Sequence, residues 1–263
     1  MSKLFGSTGV KWIAGGWTAF ILENVVMSHN REWIISEFGK DKYHMVYNAL
    51  STAACSSILY GYIKHGRGKG PRMGSHGIPG VVASFVLQGV GFAIISQQAP
   101  KLQNPFQLKE ETVAVVEQQS TGSVSSSSKL FVRCPMDFRP ADVPADGIYG
   151  TARISRHATF WAFGSICYGE AITALFLPEV VMFSFPLIFA AIGTSHQDYR
   201  YRRNSGGVLT PEMEAVTSNV PFLAFIAGVQ SWEQLFKEIK WTNAGVGLTV
   251  ASAFALRNIR RLR

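Results

Sequence analysis

Apolar residues in this chain gather into long runs instead of alternating as they would on half-buried strands. The first run covers about Val10 to Ser28 and is interrupted only late, by Glu23 and Asn24. The second covers about Tyr43 to Ile63, and the third about Pro79 to Ser96. After a polar interval, further runs cover Arg156 to Leu177, Val180 to Thr194 and Trp241 to Leu256. Crossing the hydrocarbon layer takes about 20 apolar residues of helix. The pattern therefore predicts an all-α fold, a polytopic transmembrane bundle of about six spanning helices with one short interfacial helix.

Between the first two runs, Glu32 to Phe38 reads as an amphipathic connector that stops at Gly39, a residue suited to a helix end. Residues 218–230 are apolar but too short to span, which predicts an interfacial or re-entrant segment. Small residues crowd the second run: Ala49, Ser51, Ala53, Ala54, Ser56 and Ser57. Such residues let helix backbones approach closely, so this helix is expected at the centre of the bundle. Pro178 is read as a tight turn between the fourth and fifth helices.

Three parts follow: residues 1–96 with the first three spans, a polar loop at 97–152, and residues 153–263 with the last three spans and a basic tail. The loop is rich in Gln, Ser and Pro and holds no spanning run. Residues 97–150 are therefore expected outside the membrane, held by another protein chain. The tract Ser123 to Ser128 is of too low complexity to pack on its own.

Composition supports the membrane class. Hydrophobic residues make up 47% of the 263 residues and charged residues only 16%, against about 25% charged in a soluble domain. The net charge of +8 comes from clusters beside the apolar runs: Lys64, Arg67, Lys69 and Arg72, then Arg257, Arg260, Arg261 and Arg263. This placement fits lipid phosphates and topology signals. No aromatic-interleaved basic patch suggests nucleic acid. Six spans bring both termini to the basic face, which is then cytoplasmic, matrix or stromal; the basic residues from Tyr199 to Arg203 oppose that assignment. Only a few residues precede the first run, without the Arg-rich pattern of a transit peptide, so that run is expected to act as a retained signal. The lipid bilayer of the mitochondrial inner membrane is the expected location, with plastid or bacterial inner membranes as alternatives.

Cys55, Cys134 and Cys167 are odd in number, and two of them fall inside apolar runs, which argues against a disulfide framework. No Cys/His spacing of the zinc kind occurs, and no metal is expected. The same topology places His29, His157 and His196 near the other membrane interface, with Arg153, Arg156 and Arg200. Two readings stand open. Imidazoles and guanidiniums can hold a haem and its propionates, and they also serve as plain interface anchors.

The chain resembles the NnrU proteins and their relative 15-cis-zeta-carotene isomerase. The resemblance rests on Phe38 and Gly39 followed by Tyr43 and Tyr47, on Arg153 to His157, on Gln197 to Arg200, and on Thr217 to Ala224 with Gly228 and Gln230 beyond. It implies a helical membrane scaffold and, in the isomerase, haem b bound between helices for double-bond isomerisation of a polyene. The two histidine slots of that pattern fall here on Asn24 and Glu170, and the proline after the Arg-His pair is Ala158. Asn and carboxylate are poor axial partners for such an iron.

The expectation is thus a degenerate member in which Asn24 and Glu170 face one another in the interior and no haem is bound. It is expected to be a non-catalytic accessory subunit of an energy-transducing complex, of the respiratory or ATP synthase type. Other membrane-complex subunits are its expected partners. The alternatives are a haem b isomerase with ligands drawn from His29, His157, His196 or Cys167, and a lipid- or quinone-binding membrane protein.

Overall fold

The computed structural model describes residues 6–74, 76–103, 106–112, 126–132, 135–137 and 147–262. The chain is mostly helical. Its long helices are α1 (Thr8–His29), α3 (Lys40–Gly61), α4 (Gly77–Ser96), α6 (Ala158–Ile172), α7 (Leu177–Tyr201) and α11 (Trp241–Arg260), with the short α2 (Arg31–Phe38) between the first two. Short helices α5 (Thr151–Ile154), α8 (Pro211–Val216), α9 (Leu223–Ile226) and α10 (Trp232–Glu238) lie in the connections. By length and composition, α4 and α7 are apolar and long enough to cross a membrane. The apolar segment at 218–230 forms turns and α9, and no long helix.

The helix at the centre is α4, which packs between α6 and α11. Two glycine contacts show how close these approaches are. A Cβ on Gly91 would sit 2.7 Å from the Ala162 carbonyl oxygen of α6, and one on Gly247 of α11 would sit 2.8 Å from the Phe92 backbone. Ser84 and Gln88 of α4 are consequently fully buried. The expectation that the second apolar run is central fails. In α3 only Tyr43, Ile58 and Gly61 are buried, and its main long-helix neighbour is α1. Its small residues do not mark the packed face: Ala49, Ala53 and Ser56 point outward, while Ile58 packs against Ile13 and Trp17 of α1.

Two boundaries also move. α6 starts at Ala158, not Arg156, and ends at Ile172 after 15 residues. A short extended stretch follows, in which Phe176 bridges to Arg72. Pro178 then occupies the first turn of α7, where its fixed φ and missing N–H cost nothing. It opens the helix and makes no turn before it. α7 continues past Thr194 to Tyr201, because the polar side chains of its last turns are used inside the protein.

The interval at 97–152 carries secondary structure that its composition does not signal. Lys101–Leu102 (β1) pairs antiparallel with Met136–Asp137 (β4), and Phe106–Thr112 (β2) pairs antiparallel with Ser126–Val132 (β3). The amide of Leu102 donates to Asn243 Oδ1, which ties this ribbon to the start of α11. Of the low-complexity tract, Ser126 to Ser128 lie on β3 while 123–125 fall outside the described residues, as does Cys134.

Candidate functional site

Polar side chains concentrate at the two ends of the bundle. The first end joins the start of α6, the end of α7 and the segment 217–222. Ser155 is extended, and His157 occupies the N-cap of α6. This projects Arg156 and His157 toward α7, where both meet Asp198, 3% exposed. Arg156 Nη2 donates to Asp198 Oδ2 at 2.8 Å, and His157 Nε2 lies 2.7 Å from Oδ1. Asn219 Nδ2 donates to the same carboxylate at 3.0 Å. Arg156 Nη1 donates further to the Thr217 carbonyl, and Thr194 and Trp161 both donate to Asn219 Oδ1.

A second clamp lies beside it. Arg153, 1% exposed, grips Glu238 through Nε and Nη2, both at 2.8 Å, and donates from Nη1 to Gln230 Oε1 at 2.9 Å. The two-pronged geometry fixes both partners. Just beyond the end of α7, Arg202 holds Glu214 in the same manner, and that hydrogen bond keeps the Glu214 carboxyl below its ordinary value of 4.5.

His29 and His196 come together nearby, with ring centroids 5.8 Å apart, and Tyr199 stacks on both. Below them Asn24 lines a small cavity of about 170 Å³ with Tyr47, Phe189 and His196. The Tyr47 hydroxyl donates to Asn24 Oδ1 at 2.5 Å, and Asn24 Nδ2 donates to Phe20 O and to Glu23 Oε2, both at 2.9 Å. Glu23 in turn accepts from Ser51. These bonds sew α1 to α3.

The other end holds Glu170. Its carboxylate accepts from Arg257 Nη2 at 2.5–2.6 Å, with Arg261 Nη1 at 3.8 Å and Gln88 Nε2 at 3.5 Å. A half-open cavity of about 490 Å³ surrounds this pair, and Cys167 and Arg67 also line it.

Asn24 and Glu170 therefore do not face one another, contrary to the sequence expectation. The reason is depth. α1 ends and α6 begins at the same end of the bundle. Asn24 lies five residues before His29, while Glu170 lies twelve residues beyond Ala158. At 1.5 Å per residue these are about 7–8 Å and about 18 Å from that end. Their hydrogen-bond partners and cavities are separate.

A haem held in the implied manner does not fit these residues. Its two slots lie at different depths, and the Asn24 oxygen is already engaged by Tyr47. The cavity at Asn24 and His196 is smaller than the about 300–1,000 Å³ that encloses even a drug-sized ligand. His157 is turned to Asp198 and lines neither cavity. Beside Cys167, the Glu170 carboxylate one turn on would oppose the negative charge of a thiolate ligand. Among the described residues no three His, Cys, Asp or Glu side chains gather into a metal-binding group.

The sequence places Asp198 within a motif but gives no sign that it is the hub. Nor does it mark Tyr47 as the partner of Asn24, and Arg257 reads there as a topology signal. Gln88 carried a signal that was available, being the one amide side chain in Gly77–Ser96. The chain matches no protein-family model, no curated protein and no solved structure.

Proposed function

We propose that this chain is a non-catalytic, membrane-embedded subunit: a bundle whose six long helices lie in the bilayer, the 15-residue α6 reaching only part of the way, and whose α3 docks on a helix of another protein. The observation that carries the proposal is the outer face of α3. Asn48, Thr52 and Ser56 recur at helical spacing there, with Ala49 and Ala53 beside them, and all five are exposed. α3 is 22 residues long, enough to span, yet it is not among the helices apolar enough to do so unaided. Polar side chains at membrane depth seek partners, and small residues permit close helix approach. A helix with that face toward lipid is poorly placed, and one covered by a neighbouring helix is not.

The polar interior supports the same reading. Asp198, Arg153 and Asn24 spend their hydrogen bonds on holding helices together, and the two slots that the resemblance assigns to iron ligands are closed by Tyr47 and Arg257. The partner remains as the sequence reading has it, an energy-transducing complex of the mitochondrial inner membrane, with the 97–150 segment as a further contact.

A photo-crosslinking side chain placed at Thr52, compared with one at the exposed Val82 of α4, tests this in native membranes. Thr52 should yield one protein adduct of defined mass, and Val82 mainly lipid. Lipid adducts alone from Thr52 would refute the docking reading.

A further inference from the structure

We propose that the cavity around Glu170 is a binding site for an anionic glycerophospholipid, taken by its phosphate and by a headgroup hydroxyl. The proposal rests on the membrane reading above. Its first ground is an unanswered buried group. Gln88 is fully buried and lines the cavity, and its Oε1 has no hydrogen-bond donor. Arg257 Nε, behind its pair with Glu170, likewise has no acceptor. Buried polar groups are ordinarily satisfied, so an acceptor and a donor left open beside one cavity point to a molecule that supplies both.

Charge gives the second ground. Arg67, Arg257 and Arg261 all line the cavity. Arg67 forms no ion pair among the described residues, and Arg261 stands at a loose 3.8 Å from Glu170. Glu179, the other carboxylate of the lining, accepts from the Gly68 amide at 3.0 Å. Guanidiniums so placed match a phosphate.

The third ground is position. The cavity is walled on its other sides by Leu59, Ile63, Phe183 and Phe254, side chains suited to acyl chains. It lies at the end of the bundle that also carries Lys64, Lys69 and Arg72, the basic face that an anionic leaflet attracts. A neutral quinone would leave the guanidiniums unanswered, and a free phosphate would leave the apolar walls bare. In the lipid complex the phosphate meets Arg67 and Arg261 and accepts from Arg257 Nε, the headgroup hydroxyl donates to Gln88 Oε1, and the Glu170–Arg257 pair stays in place through Nη2.

The full chain, reconstituted in vesicles of phosphatidylcholine alone or mixed with phosphatidylglycerol, tests this by thermal unfolding. With the lipid at roughly ten times its Kd, phosphatidylglycerol should raise Tm by about 3–6 °C. Arg67→Gln/Arg261→Gln should unfold at the wild-type Tm in phosphatidylcholine but lose the gain. Lys64→Gln/Lys69→Gln should keep it. Equal Tm in both vesicles, or equal loss of the gain in the lysine variant, would overturn the site in favour of no binding or of diffuse surface attraction. Phosphatidylethanol, which lacks the hydroxyl, should stabilise wild type less than phosphatidylglycerol does. Gln88→Leu should erase that difference, and no difference in wild type would refute the role of Gln88. The same gain from inorganic phosphate with the chain in detergent would replace the lipid by a soluble anion. Release of the chain from both kinds of vesicle by alkaline carbonate would instead defeat the membrane reading on which the proposal rests.

Discussion

Asp198 and Glu170 are both helix carboxylates that meet arginines, and they differ in what is left over. Around Asp198 the carboxylate receives two guanidinium nitrogens of Arg156, an imidazole and an amide, and the remaining Arg156 donor is taken by Thr217. The side chains of Asp198 and Arg156 are 5% and 12% exposed. Around Glu170 the arginine is 41% exposed, and an acceptor on Gln88 and a donor on Arg257 go unused next to open space. Closed polar networks in a low-dielectric interior specify one arrangement of the helices. An open one costs stability unless something else completes it. The Asp198 network thus reads as structure and the Glu170 cavity as the proposed place for a ligand; elsewhere at the first end His196 Nε2 and Arg200 Nε are likewise buried without partners.

That contrast is broken most directly at Asp198. Asp198→Ala leaves a buried guanidinium without its counter-charge and should cost about 3–5 kcal/mol, measured as loss of Tm and of yield after detergent extraction. Glu170→Gln should cost far less, about 0.2–1 kcal/mol, because a partner so exposed is screened by solvent and headgroups. If the two variants proved equally damaging, the division between the closed network at Asp198 and the open one at Glu170 would fall.

A variant with histidine at both positions, Asn24→His/Glu170→His, sharpens the comparison. The two positions line separate cavities, so imidazoles placed there are not brought to one iron, and the purified double variant should show no Soret band. Strong haem binding by it would mean that the separation of the two ends is wrong.

How far the sequence disclosed this can be judged from particular residues. Each of the six apolar runs contains a long helix, because length and hydrophobicity register directly in composition. Boundaries were less legible. Pro178 reads as a turn or a helix start with equal ease, and only the chain path decides. The last turns of α7 look like a polar loop until Asp198 is seen facing inward. Small residues in α3 mark close packing without saying with what. The strand pair at 106–112 and 126–132 left only the short alternation Phe106-Gln107-Leu108-Lys109, set among polar residues and a serine tract. At the candidate site, the Arg156–His157 pair stood out by itself. Its partner in α7 is 41 positions away, and that pairing emerges only from tertiary structure. The supposed facing of Asn24 and Glu170 failed because slots were counted along the sequence and not converted into depth.

The smallest effect concerns the edge of the closed end. The hydrogen bond from Arg202 holds the Glu214 carboxyl below 4.5, so the folded state favours its ionised form. The contribution to stability is present above the ordinary carboxylate value and is lost as pH falls through the lower folded value. Tm of wild type and Arg202→Gln should therefore differ slightly near neutrality and converge in acid. A gap that widens as pH falls would show the sign to be wrong.

The central claim, a membrane subunit in which the sites that would ligate iron have been given over to holding helices together, is tested most directly by isolating the native protein from its own membrane in mild detergent. Its stoichiometry against co-eluting chains and its absorption spectrum would be recorded on the same fractions. The account predicts a fixed ratio to other membrane proteins and no Soret absorbance belonging to this chain. A chain that elutes by itself with one haem b per molecule would contradict it.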